Sequence, residues 1–386
     1  MFLLDYEKVN YSDPWALPYA ERIKRLSLRE RKVAYFYELA DTSTFRYRVY
    51  NMAQTIQSLS KDTSASYFFL EDLNHTAEIL AVADVIVICR VRYSSRINHL
   101  ITSARAKNIK VLFDVDDFVF NTSYVHLILN TLDQDISHPH AAWDFWFAAI
   151  GRIGETLRLC DGAIATNNFL ATQIKRWTGK PTNVIPNYLN REQIELSEKL
   201  FQQKVTSSFK RDERFCLGYF SGTPTHNKDF AVIASAVTQV LKARSDVTLR
   251  IVGFMDLKGE LSHYRSQIEF LPLQDFLNLQ FLIATTELNL VPLQDNLFTN
   301  CKSELKFFEA AICGTLSLAS PIFTYKNAIC DGDNGYLSCA YEWAEKIEHI
   351  IDNFDDYQPV AAKAYQDALD CFAWYNQLEK IEAALF

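Results

Sequence analysis

Along most of this chain, short and continuously apolar runs alternate with segments whose apolar residues recur every three or four positions. The runs Lys32-Val33-Ala34-Tyr35-Phe36-Tyr37, 66–70, Val85-Ile86-Val87-Ile88-Cys89, Val111-Leu112-Phe113 and Gly162-Ala163-Ile164-Ala165-Thr166 read as strands, with a helix over 47–59. Strands apolar on both faces and separated by helices predict a parallel sheet covered on both sides. A last strand and a hinge fall at 181–187. The alternation then starts again with a strand at 215–220, a helix at 230–242 and a strand at 247–252. It continues through Ile268-Glu269-Phe270, a helix at 273–283, a strand at 288–292, a helix after Lys302, the strand Leu316-Ser317-Leu318-Ala319, and helices from Tyr341 onward. The predicted class is α/β: two Rossmann-like domains, 1–187 and 188–358, facing a cleft. A C-terminal helix within 359–386 is expected to pack back on the first domain. Ligands of such sheets lie outside the carboxyl ends of the strands.

Length agrees with this division, since 386 residues exceed one typical core and two domains of roughly 170–190 residues suit the prior. Apolar content of 49% and charged content of 22% describe an ordinary globular protein. The net charge of −8 argues against a general nucleic-acid binder. None of the eight cysteines forms a C-x-x-C pair, which reads as reduced core residues of a cytoplasmic protein. The first residues lack the basic and long apolar regions of a signal peptide, and no apolar run approaches the length of a membrane span. The basic stretch 14–32 (Arg22, Lys24, Arg25, Arg29, Arg31, Lys32) reads as a surface helix. Its alternative reading is peripheral attachment to an anionic membrane.

Three segments carry candidate chemistry. In the first, Asn300-Cys301-Lys302-Ser303 precedes an amphipathic helix containing Glu309. Free amides at a helix start and the Lys302 charge suit a phosphate, and Glu309 suits a sugar diol. In the second, Gly222-Thr223 and Lys228 sit in a small-residue loop between a strand and a helix, a context for phosphate oxygens that is neither a P-loop nor G-x-G-x-x-G. In the third, Asp114, Asp116 and Asp117 close a buried strand. They read as a D-x-D metal site, as a phosphatase-like nucleophile (a match that fails at Phe118), or as a metal-free group near the transferring sugar. The metal-free role is favoured here. Arg46 and Arg48 open a helix after the first strand and Arg90 ends the third, so all three are candidate acceptor contacts. His138-Pro139-His140 reads as a polar loop without metal-site company.

The loop Tyr219-Phe220-Ser221-Gly222-Thr223-Pro224-Thr225-His226, the Lys302-Ser303 and Glu309-Ala310 pairs, and Asp114-Val115-Asp116-Asp117 resemble retaining GT-B glycosyltransferases, family 4-like. Enzymes of bacterial surface-polysaccharide (lipopolysaccharide) biosynthesis, rhamnosyltransferases among them, are the most similar group. The resemblance covers most of residues 32–375. It implies that Glu309, as second glutamate of an E-x7-E motif, binds the nucleotide ribose. The first glutamate falls at Cys301, a departure that leaves the donor sugar open. Lys228 matches the family's diphosphate lysine; the arginine position is Gly222, and Lys302 takes up that charge.

These readings define catalytic candidates Asp114, Asp116 and Asp117, donor candidates Gly222, Thr223, Lys228, Lys302, Ser303 and Glu309, and acceptor candidates Arg46, Arg48 and Arg90. No metal and no cofactor beyond the nucleotide diphosphate sugar are expected. The acceptor is a glycan, free or lipid-linked, with peripheral contact at the inner membrane face. The alternatives are a nucleotide-sugar epimerase on the same scaffold and an inactive nucleotide-sugar-binding subunit.

Overall fold

The computed structural model describes residues 1–134, 139–256 and 259–386; His138 therefore lies outside the described residues. Two six-stranded parallel sheets account for the alternation. The first contains β1 (Arg31–Tyr37), β2 (Thr63–Phe69), β3 (Val85–Cys89), β4 (Lys110–Val115), β5 (Gly162–Ala165) and β6 (Thr182–Val184), in the order β2-β1-β3-β4-β5-β6. The second contains β7 (Phe215–Ser221), β8 (Val247–Gly253), β9 (Ile268–Leu271), β10 (Leu288–Val291), β11 (Leu316–Ala319) and β12 (Tyr336–Leu337), in the order β12-β11-β10-β7-β8-β9. Every residue of β3 and of β7 is buried, as their unbroken apolar runs require. The order reverses between β1 and β3 in one sheet and between β7 and β10 in the other. The carboxyl ends of those four strands open the crevice where ligands of this architecture bind.

Local departures from the predicted elements have local causes. The helix expected at 47–59 begins with a π-helical turn, Arg46–Tyr50, that runs into the helix Asn51–Leu59. All five residues of the turn are buried. The helix expected at 230–242 breaks into Asn227–Ala231 and Ala234–Ala243. At the end of β8, Gly253 has φ +95°, and a Cβ there would lie 2.0 Å from the Ser221 carbonyl oxygen. Only glycine lets β7 and β8 end side by side at the cleft.

The chain crosses between domains at both ends, which corrects the expected boundaries. Residues 1–9 belong with the second sheet: the Met1 amine binds Asp212 (2.6 Å) and Glu287 (2.9 Å), and Tyr6 stacks on Phe281 at 4.1 Å. The helix Tyr357–Phe372 packs on the second-domain helix Leu305–Ala311, with the Phe308 and Phe372 rings 4.7 Å apart. The turn Trp374–Asn376 and the helix Leu378–Leu385 return to the first domain. There Glu382 accepts from Ser60 (2.6 Å) and Thr63 (3.1 Å), and Lys110 donates to the Leu385 carbonyl (3.0 Å).

The basic stretch 14–32 is committed to structure more than to a surface. Its helix is Tyr19–Leu26. Arg22 is buried and holds Asp72 through both terminal nitrogens, at 2.5 and 3.1 Å. Arg29 donates to the carbonyls of Thr63 (3.0 Å) and Gln57 (2.9 Å), and the Arg31 guanidinium lies over the Phe386 ring at 4.9 Å. A membrane-facing cationic patch needs free charges, and these three are engaged.

Candidate active site

The π-helical turn after β1 points three side chains to different tasks. Arg48 grips Asp114, the fifth residue of β4, in a two-point bond of 2.8 and 2.9 Å. Its remaining nitrogen reaches the Ile185 carbonyl (2.8 Å) and Asn187 (3.1 Å) in the hinge. Both side chains are fully buried. Burial pushes the Asp114 carboxyl up and the guanidinium opposes it. The acceptor contact expected of Arg48 and the catalytic part expected of Asp114 are thus corrected. Their donors and acceptors are spent on each other, and the pair fixes the hinge and the base of the cleft.

Two residues further on, Asp116 and Asp117 do face the second domain. Arg90, which follows β3 with φ +52°, donates to Asp116 (2.9 Å) and lies 3.5 Å from Asp117. Thr44 also donates to Asp116, at 2.7 Å. Lys302 reaches across from the second domain to Asp117, at 3.7 Å. Burial raises the Asp117 carboxyl, but Lys302 and Arg90 more than offset this and hold it below the usual range. A carboxylate held so firmly ionised is a poor proton acceptor and a good fixed negative charge. Arg90 acts as the clamp that keeps Asp116 and Asp117 in place.

Glu309 lies where the cleft narrows. Its Oε1 accepts from Tyr47 Oη, from Arg46 (3.3 Å) and from Gln193 (3.3 Å), while Oε2 has no hydrogen-bond partner among the described residues. Arg46 is therefore an interdomain contact, held by the Thr42 carbonyl (2.7 Å) and lying over the Tyr47 ring (4.0 Å). Among the described residues, the buried atoms Arg46 Nη1, Ser303 Oγ and Glu304 Oε2 find no hydrogen-bond partner. Burial pushes the Glu304 carboxyl up to about 7. Unpartnered groups of this kind cost stability unless a ligand or water completes them.

The loop after β7 holds the rest. Gly222 and Thr223 are exposed, and a Cβ on Gly222 would meet nothing, so any need for glycine there comes from what approaches the loop. Lys228 turns away from the other lysines. It donates to the Asn130 carbonyl (2.8 Å) and side chain (3.0 Å) and lies 3.7 Å from Asp133, pinning the first domain at the cleft rim. In this structure Lys228, expected at the phosphates, is engaged by Asn130 and Asp133 instead.

Two cleft groups were not singled out from the sequence. The Lys306 amine, in the first turn of the helix Leu305–Ala311, has no hydrogen-bond or ion-pair partner among the described residues and lies over the Tyr219 ring at 5.1 Å. Burial pulls that amine down to about 8, with Lys302 adding to the effect. His226 is the other. Its Nδ1 meets Asp229 at 3.0 Å, and burial, followed by Lys302 and Lys306, keeps the imidazole neutral at pH 7. The available signals were the second lysine of the Lys302–Lys306 segment, at the start of the helix Leu305–Ala311, and the His226/Asp229 spacing of three at the start of the helix Asn227–Ala231. Among the described residues, no three His, Cys, Asp or Glu side chains are grouped to hold a metal ion. No described helix is long and apolar enough to cross a membrane.

Comparison with known proteins follows the same lines. Residues 214–353 match the family model described as Glycosyl transferases group 1. No curated protein matches the chain by sequence. Similar solved structures include HepE of Anabaena in complex with UDP and glucose, at TM-score 0.60 and 14% identity, covering 92% of this chain and 98% of that one. A glycosyltransferase from Rickettsia africae is similar at TM-score 0.60 and 14% identity, covering 91% and 96%. WaaG, a glycosyltransferase involved in lipopolysaccharide biosynthesis, is similar at TM-score 0.57 and 13% identity, covering 91% and 99%. The fold is that of GT-B glycosyltransferase structures, and the match to the group 1 glycosyltransferase model falls on the second sheet and its helices.

Proposed function

We propose that the protein transfers a sugar from a nucleotide diphosphate donor to a glycan acceptor in cell-surface polysaccharide biosynthesis, with retention at the anomeric carbon and without a metal ion. The observation that carries the donor half is Lys306, a half-buried amine with no hydrogen-bond or ion-pair partner among the described residues, four positions after Lys302. Two amines facing one crevice suit the two phosphates of a leaving diphosphate. Glu309 Oε2 supplies an acceptor for ribose hydroxyls. Ser303 Oγ and Glu304, whose carboxyl at about 7 is half protonated at neutral pH, supply hydrogen-bonding groups for the donor sugar. The exposed Phe254 and Leu273, which follow β8 and β9, offer an apolar face for the base.

In the reaction, the bond from the sugar's C1 to the diphosphate oxygen breaks and a bond to an acceptor oxygen forms. The departing charge falls on Lys302 and Lys306. Asp117, ionised and fixed by Arg90 and Lys302, lies on the opposite wall, where positive charge develops on the sugar. The acceptor proton needs a neutral base, and His226, oriented by Asp229, is one that the cleft contains. HepE bound to UDP and glucose supports a nucleotide-sugar donor in this fold, and WaaG supports the surface-polysaccharide setting.

A pH profile tests the role of Lys306. With its amine at about 8, the free enzyme loses this charge as pH rises through that value, so kcat/KM for the donor falls on the alkaline side. Lys306→Arg retains its charge and shifts the fall to higher pH. An alkaline limb that is identical in the two enzymes contradicts the assignment.

A further inference from the structure

The short helix Leu297–Asn300 leads from β10 into the loop that carries Lys302, and the first domain holds it at both ends. At its start, Asn296 donates to the Thr131 hydroxyl (3.1 Å) and Gln294 to the Thr131 carbonyl (3.2 Å). Between the ends, Phe298 and Cys301 are buried in the hydrophobic cluster that contains Leu170 and Ile174 of the first domain. The Lys302 amine lies over the Phe298 ring at 4.9 Å. Helix ends leave carbonyls without an intrahelical partner, and just past the far end of this helix one first-domain side chain meets two carbonyls.

That side chain is Asn167, which is buried and follows β5 at its carboxyl end. Its Oδ1 accepts from the Leu170 amide (2.9 Å) and so caps the helix Asn168–Thr178. This bond fixes which way the amide group is turned, and the nitrogen faces the second domain. Nδ2 donates to the carbonyls of Cys301 (3.0 Å) and Lys302 (3.2 Å), and its third contact is the Thr166 hydroxyl at 3.3 Å. A serine satisfies such a cap about as well. Its single oxygen, however, lies one bond nearer the backbone and falls short of the two carbonyls.

We propose that Asn167 is a positioning residue whose amide fixes the backbone that presents Lys302, and so sets where that charge meets the leaving diphosphate, a role for Lys302 that rests on the function proposed above. The Lys302 amine also lies 3.7 Å from Asp117. The first domain thus holds this lysine twice, by its main chain through Asn167 and by its side chain through Asp117. A charge set to meet a developing anion works only while its support is held in place. Asn167 acts on the donor through Lys302 alone, and its capping oxygen is a separate, structural task.

Calorimetric titration of the full chain with ADP, CDP, GDP and UDP and with their monophosphates tests this, read as the ratio of monophosphate Kd to diphosphate Kd. Asn167→Ser is expected to lower that ratio by roughly threefold to tenfold, the range of one neutral hydrogen bond or two. Its Tm stays at the wild-type value, because the helix keeps its cap. Asn167→Thr, a second capping variant, behaves alike. In a Lys302→Ala background, Asn167→Ser changes the ratio no further, since the residue acts through that lysine. A purely structural role gives the opposite pattern, a lowered Tm with an unchanged ratio, and that result overturns the proposal. So does an equal fall of the ratio in both backgrounds. A wild-type ratio in Asn167→Ser beside a lowered one in Lys302→Ala overturns it too, and leaves the donor assignment standing. If Lys302→Ala itself keeps the wild-type ratio, or if no diphosphate binds, the donor assignment falls and the positioning role falls with it.

Discussion

Arg48→Ala is expected to destabilise the protein by about 3–5 kcal/mol, the cost of leaving a buried carboxylate without its partner. Arg48 is fully buried and makes four short polar contacts, two of them to Asp114 and two to the hinge. Removing it strands Asp114 in the first-domain core, beside the buried Cys89. Asp114→Ala is expected to cost a similar amount, and the double variant less than the sum, because the two changes remove one shared interaction. Urea denaturation of the three variants measures this. Single variants within about 0.5 kcal/mol of wild type, the range of ordinary surface substitutions, contradict a buried structural pair and return Arg48 to the acceptor candidates and Asp114 to the catalytic ones.

The second large effect concerns Lys302. It is the cation that bridges the domains to Asp117 and, with Lys306, faces the space assigned to the diphosphate. Lys302→Ala is expected to lower kcat by about 10²-fold or more, the loss seen when one preorganised partner of a developing negative charge is removed. Asp117→Asn is expected to lower kcat with little change in donor affinity, since Asp117 stands on the opposite wall. Activity survives excess EDTA, because lysines supply the charge that a divalent ion supplies elsewhere. Wild-type turnover by Lys302→Ala, or a complete loss on chelation restored by Mg²⁺, contradicts the lysine-based mechanism.

The architecture was legible because the strands are buried on both faces. Runs such as Val85–Cys89 and Leu316–Ala319 have no amphipathic alternative, and their predicted limits agree with the observed ones. The two crevice walls followed, since Gly222 and Lys302 come after β7 and β10, and Arg46 and Arg90 after β1 and β3. What the pattern does not carry is the direction in which each charged side chain is spent. Arg46, Arg48 and Arg90 lie in similar settings by sequence, yet one binds Glu309 across the cleft, one is buried on Asp114, and one clamps Asp116. Lys228 sits where the family lysine is expected but finds Asn130 on a neighbouring domain, a contact between residues 98 positions apart. Such long-range pairings depend on tertiary placement rather than local spacing. Lys306 and His226 were overlooked for the opposite reason, because isolated charged and imidazole groups on helices are ordinary until their surroundings show them unpaired or neutral.

Nucleoside diphosphate binding tests the central claim most directly. A calorimetric titration of the wild type with a panel of nucleoside diphosphates and monophosphates is predicted to show at least one diphosphate bound more tightly than its monophosphate. That difference is predicted to shrink in Lys302→Ala and again in Lys306→Ala. If no nucleoside diphosphate binds, or if the two lysine variants bind diphosphates as the wild type does, the cleft between the two sheets is not the donor site.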